Sequence, residues 1–276
     1  MVLRYWYEMP SDQLHADQTQ PGVLAQVAEF PGLGRKFAPG GKVRDLYRRV
    51  QGAPEGFCLE NLLAEMRVGL SVAASDQARI PASGPVVVVA NHPYGVLDGL
   101  ILTVLLTRSR PDVKVLTNFL LTDVPELKNH CIYVDPFQTD RSVASNRGAL
   151  REALAWLEQG GMLAMFPAGE VSYWQMPAAH IADREWNDTA VRLIRRTAAT
   201  ALPLYFCGQN GVGFQLMGML HPRLRTAFLL QEFLQQAGKT VEVRVGSGIP
   251  AEAIESIRDD REATEYLRWR TYLLGR

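Results

Sequence analysis

The sequence predicts an α/β fold: a mixed, largely buried central sheet flanked by helices. Three observations lead to it. From residue 57 onward, short apolar or β-branched runs alternate with segments of helical spacing. The clearest run, Pro85–Ala90 (PVVVVA), lacks polar alternation, as expected of a strand covered on both faces. The 276 residues are 47% hydrophobic and 21% charged, so a sizeable core can form and disorder is excluded.

The elements follow in order. Residues 1–56 form an N-terminal segment rich in Pro and Gly with little periodic pattern, and residues 57–276 form the α/β domain. Leu59–Val72 has helical spacing through Leu62, Met66 and Leu70. After the strand Pro85–Ala90 come a helix over Leu97–Arg108 and strands at Val113–Leu116 and Cys131–Val134. Ser145–Gln159 reads as a helix, with Ser145 as its cap, Leu150, Leu154 and Leu157 on one face, and Gly160-Gly161 as its stop. Met162–Phe166 is a strand, Asn187–Ala199 a helix and Leu202–Cys207 a strand. Leu224–Gln236 is a helix ended by Gly238, Val241–Val245 a strand, and Ala251–Leu274 mostly helical.

Composition removes several function classes. Lys plus Arg is 29 and Asp plus Glu is 29, so whole-chain charge gives no reason to expect a nucleic-acid partner. Cys58, Cys131 and Cys207 are far apart and form no CxxC pair. A disulfide framework or cysteine metal site is therefore not expected, and a reducing cytoplasmic setting fits. The most apolar stretch, Gly99–Thr107, falls far short of the roughly 20 residues of a spanning helix, and MVLRYWYEMPSD lacks the apolar centre of a secretory signal. Arg35–Arg49 carries six basic residues (Arg35, Lys36, Lys42, Arg44, Arg48, Arg49) against Asp45, with Phe37 and Tyr47 interleaved. Such a patch suits an anionic membrane surface; the plainer reading is a solvated loop and helix face.

In an α/β sheet, chemistry collects in the loops at strand ends. Val86–Leu100 (VVVVANHPYGVLDGL) places Asn91 and His92 directly after the buried run, in a Pro/Gly turn, with Asp98 at the start of the next helix. A histidine there can act as a general base, and a nearby carboxylate can fix its tautomer. No serine stands beside the pair, so the nucleophile belongs to the substrate. The competing structural reading is a polar turn with Asp98 capping a helix. Ala164–Trp174 (AMFPAGEVSYW) leads from a strand into a turn containing Phe166, Pro167, Gly169, Glu170 and Ser172, where backbone can approach a ligand. His130–Arg147 carries Asp135, Arg141 and Arg147 at loop and helix-start positions that suit an anionic group, or a surface ion pair.

Together these segments resemble the lysophosphatidate/glycerophosphate acyltransferase superfamily, and more closely its bacterial hemolysin-like branch. The resemblance runs over roughly residues 80–250. It rests on NHPYGVLDG, FPAGEVS, IYVDPF with SNRGALREAL, LPLYFCGQN and PRLRTAFLLQE. It implies a glycerolipid-acyltransferase-like fold and transfer of a fatty acyl chain from an acyl carrier protein or coenzyme A thioester to the hydroxyl of a lysolipid or glycerolipid precursor. His92 is then the base and Asp98 its partner. Asn91, Phe166, Pro167, Gly169, Glu170, Ser172, Arg141 and Arg147 contact substrate, with backbone N–H groups of the Gly169 turn as an oxyanion site. No bound cofactor or metal is implied, and the place of action is the inner face of the cell membrane.

Three departures from the family pattern stand out. Five residues separate His92 from Asp98, where the family has four. Phe-Pro-Glu-Gly becomes Phe166-Pro167-Ala168-Gly169-Glu170, and the arginine that usually follows the aspartate is replaced by Pro136 after Asp135. The last two point away from a simple glycerophosphate acceptor and toward a lyso-aminolipid. The alternatives are a non-catalytic lipid-binding or membrane-active protein, and a thioesterase. A serine hydrolase lacks its G-x-S-x-G elbow: Ser247 (VGSGIP) follows a strand but does not stand in that pattern. Nucleotide binding lacks its glycine motifs, since GQNGVG opens no helix in the required pattern. Gly99–Leu106 and Phe214–Leu220 are candidate walls of an acyl channel, or plain core.

Overall fold

A computed structural model describes residues 40–53, 58–118, 125–134, 140–175, 180–215 and 222–276. Its strands are β1 (Gly69–Ser71), β2 (Val86–Ala90), β3 (Val113–Asn118), β4 (Cys131–Val134), β5 (Met162–Met165), β6 (Tyr173–Gln175), β7 (His180–Ala182), β8 (Thr200–Phe206) and β9 (Thr240–Val245). Seven of them form one sheet in the order β1-β9-β8-β2-β5-β3-β4, while β6 and β7 pair antiparallel as a separate hairpin. The sheet is mixed. β2 runs parallel to both β5 and β8, with Val88 opposite Ala164 and Leu202; β9 turns antiparallel on β8, and β1, parallel to β9, runs with it.

Helices cover both faces: α1 (Gly40–Gln51), α2 (Leu59–Glu65), α3 (Ala74–Gln77), α4 (Val96–Thr107), α5 (Asp140–Glu158), α6 (Thr189–Thr197), α7 (Pro222–Gln235), α8 (Ala251–Glu255) and α9 (Asp260–Leu273). Every residue of β2 is buried. The period-2 geometry of a strand sends Val86, Val88 and Ala90 into one core with Leu97, Ile101 and Leu105 of α4. Val87 and Val89 enter the other, with Leu157 of α5, Val191 and Ile194 of α6 and Leu267 of α9. A strand with two apolar layers on it has no solvent face, which is why PVVVVA shows no polar alternation.

Several predicted boundaries move. The helix foreseen over Leu59–Val72 stops at Glu65: Met66 is its C-cap, Arg67 takes a left-handed φ of 54°, and Gly69–Ser71 becomes a strand paired in parallel with β9. An edge strand of three residues carries too little period to register against a helical pattern. Helix α5 begins at Asp140, so Ser145 lies inside it rather than at its cap. The tail is two helices, separated where Asp259 caps α9 by accepting from the Glu262 N–H at 2.9 Å. The β6–β7 hairpin was not foreseen. Within the segment read as 1–56, α1 is helical from Gly40, and its Leu46 and Val50 are buried in the core with α2. Arg35, Lys36 and Phe37 lie outside the described residues.

At the N-terminal ends of the central strands, Arg110 is 4% exposed and bonds three chain segments. It donates to the carbonyls of Gly84 at 2.9 Å and Gly160 at 2.7 Å, and it pairs with Asp112 through Nε at 2.7 Å. That hydrogen-bonded guanidinium holds the Asp112 carboxyl below the usual carboxylate range. The resulting stability is present above the unfolded carboxylate range near 4 and is lost as pH falls through the lower folded value. Arg110→Met removes the bonds to the Gly84 and Gly160 carbonyls and the pair with Asp112. It is expected to cost about 2–4 kcal/mol in urea denaturation and to weaken the acid-side loss of stability. An unchanged midpoint at both neutral and acid pH would show that Arg110 does not tie these segments together.

Candidate active site

The strand ends of β5, β2 and β8 are neighbours in the sheet, and each delivers part of one constellation. From β2 come Asn91 and His92. The turn to α4 needs Gly95, whose φ is +76°; a Cβ there would lie 2.8 Å from Leu229 Cδ2 and 3.1 Å from Val171 Cγ2. This turn brings Asp98, in the first turn of α4, back against His92. Asp98 Oδ2 accepts from His92 Nδ1 at 3.0 Å, from the Tyr94 N–H at 2.8 Å and from the Gly95 N–H at 3.0 Å. The extra residue between His92 and Asp98 is thus absorbed in the Pro93–Gly95 turn. The two sequence readings of Asp98, cap and histidine partner, describe the same carboxylate.

Asp98 is fully buried, which pushes its pKa up, while the bonds from His92 and from the two backbone N–H groups pull it back. The His92 side chain is 17% exposed. With Nδ1 facing the carboxylate, Nε2 is the ring nitrogen free to meet a substrate hydroxyl. From β5 comes Phe166, whose ring stacks on the imidazole with centroids 3.9 Å apart and an interplanar angle of 18°. Phe206, the last residue of β8, lies tilted against Phe166 at 6.3 Å. The imidazole is therefore fixed at one edge by a carboxylate and on one face by an aromatic ring.

The other sequence-derived residues take distinct places. Asn91 is 3% exposed, and its amide bridges β2 to β8: Nδ2 donates to the Phe206 carbonyl at 3.0 Å and Oδ1 accepts from the Phe206 N–H at 2.7 Å. Ser172 is also buried; its N–H donates to the His92 carbonyl at 2.8 Å and its hydroxyl to Asp183 Oδ1. Both side chains are engaged by protein rather than facing outward. The Pro167 carbonyl accepts from the Asn187 N–H at 3.0 Å, and the Gly169 N–H closes the turn on the Phe166 carbonyl at 3.0 Å. That amide is therefore already paired, which removes it as a free oxyanion donor. Glu170 lies 3.8 Å from the exposed Arg184 guanidinium. Arg147 is half-buried on α5 and makes no bond to His92, Asp98 or Phe166–Ser172 among the described residues. Asp135, the Arg141 side chain and residues 216–220 lie outside the described residues. Leu100–Leu106 is buried core.

Asp183, in the chain leaving β7, was not anticipated. It is 2% exposed and its Oδ1 accepts from the His92 N–H at 3.1 Å. No spacing rule could find it, because its contacts join residues far apart in sequence. Among the described residues no group of three His, Cys, Asp or Glu side chains could hold a metal ion, and no helix is long and apolar enough to cross a membrane.

If Asn91 serves the strand ends, Asn91→Ala strands two buried backbone groups of Phe206. The expected loss is about 2–4 kcal/mol by urea denaturation. Asn91→Asp sets a carboxylate oxygen against the Phe206 carbonyl, acceptor against acceptor, and should lose at least as much at neutral pH. Full stability of Asn91→Ala would return the residue to the list of substrate contacts.

Comparison with known proteins gives a consistent result. A family model described as "Acyltransferase" matches residues 57–276. Two curated relatives are each named lyso-glycine lipid O-acyltransferase. That of Phocaeicola vulgatus is 26% identical over 79% of this chain and 76% of its own length. That of Bacteroides thetaiotaomicron is 27% identical over 79% of this chain and 78% of its own. Among solved structures, the 1-acyl-sn-glycerophosphate acyltransferase PlsC of Thermotoga maritima shares the fold with a TM-score of 0.50 at 16% identity, covering 92% of this chain and 88% of that one. A family match over residues 57–276, on a fold shared with a solved acyltransferase, makes this chain a member of the acyltransferase family.

Proposed function

We propose that the chain moves a fatty acyl chain from an acyl carrier protein or coenzyme A thioester to the hydroxyl of a lysolipid, with a lyso-aminolipid as acceptor. The observation that carries this reading is the bond from His92 Nδ1 to the buried Asp98 Oδ2 at 3.0 Å, in the turn at the end of β2. With Asp98 ionised, the neutral ring holds its proton on Nδ1 and presents the Nε2 lone pair. Nε2 takes the proton from the acceptor hydroxyl as the oxygen attacks the thioester carbonyl. The tetrahedral intermediate then breaks the carbon–sulfur bond, and the imidazolium returns the proton to the departing thiolate. Asp98 offsets the positive charge that the ring carries in between. Glu170 is assigned to the acceptor head group, and Arg141 and Arg147 to its anionic part.

Two observations favour a lyso-aminolipid over a glycerophosphate. Pro136, not arginine, follows Asp135. Both curated relatives carry the name lyso-glycine lipid O-acyltransferase. The test supplies acyl carrier protein and coenzyme A thioesters with either a lyso-glycine lipid or lysophosphatidate, and follows thiol release and the acylated product. Acceptor-dependent release with the glycine lipid supports the reading. Release without acceptor identifies a thioesterase, and preference for lysophosphatidate overturns the choice of acceptor.

His92→Ala should lose about 100- to 10,000-fold in kcat while staying folded. Asp98→Asn separates charge from shape. With its amide oxygen in the Oδ2 place it can still accept from the Tyr94 and Gly95 N–H groups and from the ring Nδ1–H, but it carries no charge to offset the imidazolium, so kcat should fall by at least about 100-fold. Because burial raises the folded pKa of Asp98, its ionised form is less favourable in the fold as pH rises above the unfolded carboxylate range. Asp98→Asn should therefore melt no lower than wild type at pH values around 7. Wild-type turnover by a folded His92→Ala protein would reject the mechanism.

The reading includes a place of action on the anionic inner face of the cell membrane. On α1, Leu46 and Val50 turn inward while Lys42, Arg44, Arg48 and Arg49 are exposed. Arg49 bonds Glu65 at 2.6 Å, whereas Arg48 only approaches Asp45, at 3.6 Å in an exposed pair, so Lys42, Arg44 and Arg48 are the stronger lipid contacts. Replacing these three by Gln should weaken binding to anionic liposomes by roughly 100-fold at low salt, at about 1 kcal/mol per basic residue. Cosedimentation indifferent to the change would remove α1 from the membrane contact.

A further inference from the structure

Outside the His92–Asp98 pair, the densest buried polar group centres on Asp183. Its two carboxylate oxygens take three hydrogen bonds: Oδ1 from the His92 N–H at 3.1 Å and from the Ser172 hydroxyl, and Oδ2 from the Trp186 indole N–H at 2.9 Å. Ser172 closes a ring, since its own N–H donates to the His92 carbonyl at 2.8 Å. The main chain of Asp183 is held in turn by the C-terminal helix α9. Its N–H donates to the Tyr272 hydroxyl at 2.8 Å, and its carbonyl accepts from Arg268 at 3.2 Å. Arg268 also lies over the Tyr272 ring, 5.1 Å from its centroid. Asp183, Ser172 and Trp186 are exposed by 2%, 3% and 4% respectively, so this network is sealed from water.

A carboxylate is a costly way to satisfy one amide and one hydroxyl in a water-free place. An ordinary turn would close with backbone carbonyls. Here both polar groups of the His92 peptide unit are taken by side chain or backbone of a different segment, so the turn cannot rotate about His92 without breaking both bonds. Asp98 fixes the ring; nothing in that pair fixes the Cα from which the ring projects.

Resting on the acyl-transfer reading, we propose that Asp183 is a positioning residue: it clamps the main chain of His92, and α9 anchors the clamp. Two carboxylates thereby hold one histidine, one at the ring and one at the backbone. Asp183 touches no reacting atom and moves no proton.

The test uses the full chain and three variants. In Asp183→Asn the new NH2 must face either the His92 N–H or the indole N–H, a donor against a donor on either side. Asp183→Asn/Trp186→Phe removes the indole donor, so the amide oxygen can again face His92. Trp186→Phe alone is the control for lost packing. The expected result for Asp183→Asn is a kcat lower by about 10- to 100-fold, with KM for both substrates within about threefold. Hydrogen exchange at the His92 backbone amide, followed by NMR, should be faster by at least about tenfold. The double variant should regain at least about fivefold of the lost kcat and slow the exchange again, although it melts lower than the single variant. A purely structural role would make activity follow melting temperature, so the double variant would be the worst of the three. That result, or Asp183→Asn with kcat and exchange at wild-type level, overturns the proposal. If wild type transfers no acyl chain to any acceptor, the functional reading fails by itself. The exchange rates of the same variants still decide whether Asp183 clamps His92.

Discussion

One oxygen atom organises the site. Asp98 Oδ2 accepts from two backbone N–H groups of the turn and from the imidazole of His92. The first two bonds satisfy donors that a helix start would otherwise leave open. The third sets the tautomer and the direction of the base. Neither role can be changed without the other, because the same lone pairs serve both. The cost is a carboxylate with no exposure, whose other oxygen has no partner among the described residues. Such a group is retained where geometry matters more than stability.

The fold supplies that geometry by stacking three strand ends. β2 is central and buried on both faces, so its end cannot shift without disturbing two cores. Asn91 links this end to β8 through both groups of Phe206, and Phe166 arrives from β5 on the other side to cover the imidazole. At the opposite end of the same strands, Arg110 bonds the loops that precede β2 and β5. The strands are thus fixed at both ends by buried polar groups, with apolar layers between. Gly208, at φ +117°, lets Tyr94 lie against the chain leaving β8, where the Tyr94 hydroxyl donates to the Cys207 carbonyl at 3.0 Å. The turn carrying His92 is therefore tied down on the β8 side as well.

How much of this could be read from residues alone depended on range. The buried strand at Pro85–Ala90, the helix after it and the alternation beyond were legible because each rests on local pattern. So was the His92–Asp98 pair, since turn and helix start lie within seven consecutive residues. The edge strand β1 was not, being too short to show a period and hidden behind a helical run. Asn91 and Ser172 were found as residues of interest, but their bonds to Phe206 and Asp183 cross 115 and 11 positions, so spacing could not distinguish substrate contact from scaffold. Asp183 sits 91 positions from His92 and belongs to no motif that spacing could expose.

In the proposed mechanism His92 protonates and deprotonates in each cycle, and a stacked ring and buried carboxylates suit such a base. An imidazole gains a positive charge when it accepts the acceptor's proton, and low surrounding dielectric would oppose that charge. Asp98, 3.0 Å from Nδ1, stabilises that charge directly. Asp183 lies against the same residue's backbone, behind the ring rather than at its reacting edge. Burial pushes the pKa of both carboxyls up, so each needs its donors to stay ionised: backbone N–H groups and the imidazole for Asp98, hydroxyl, indole and amide for Asp183. Phe166 contributes no charge; it stacks on one face of the ring and limits rotation about the Cβ–Cγ bond. Negative charge thus stands behind the histidine and an apolar wall beside it. Nε2 is the ring nitrogen that Asp98 leaves unengaged, and in the proposed mechanism it is where the hydroxyl arrives.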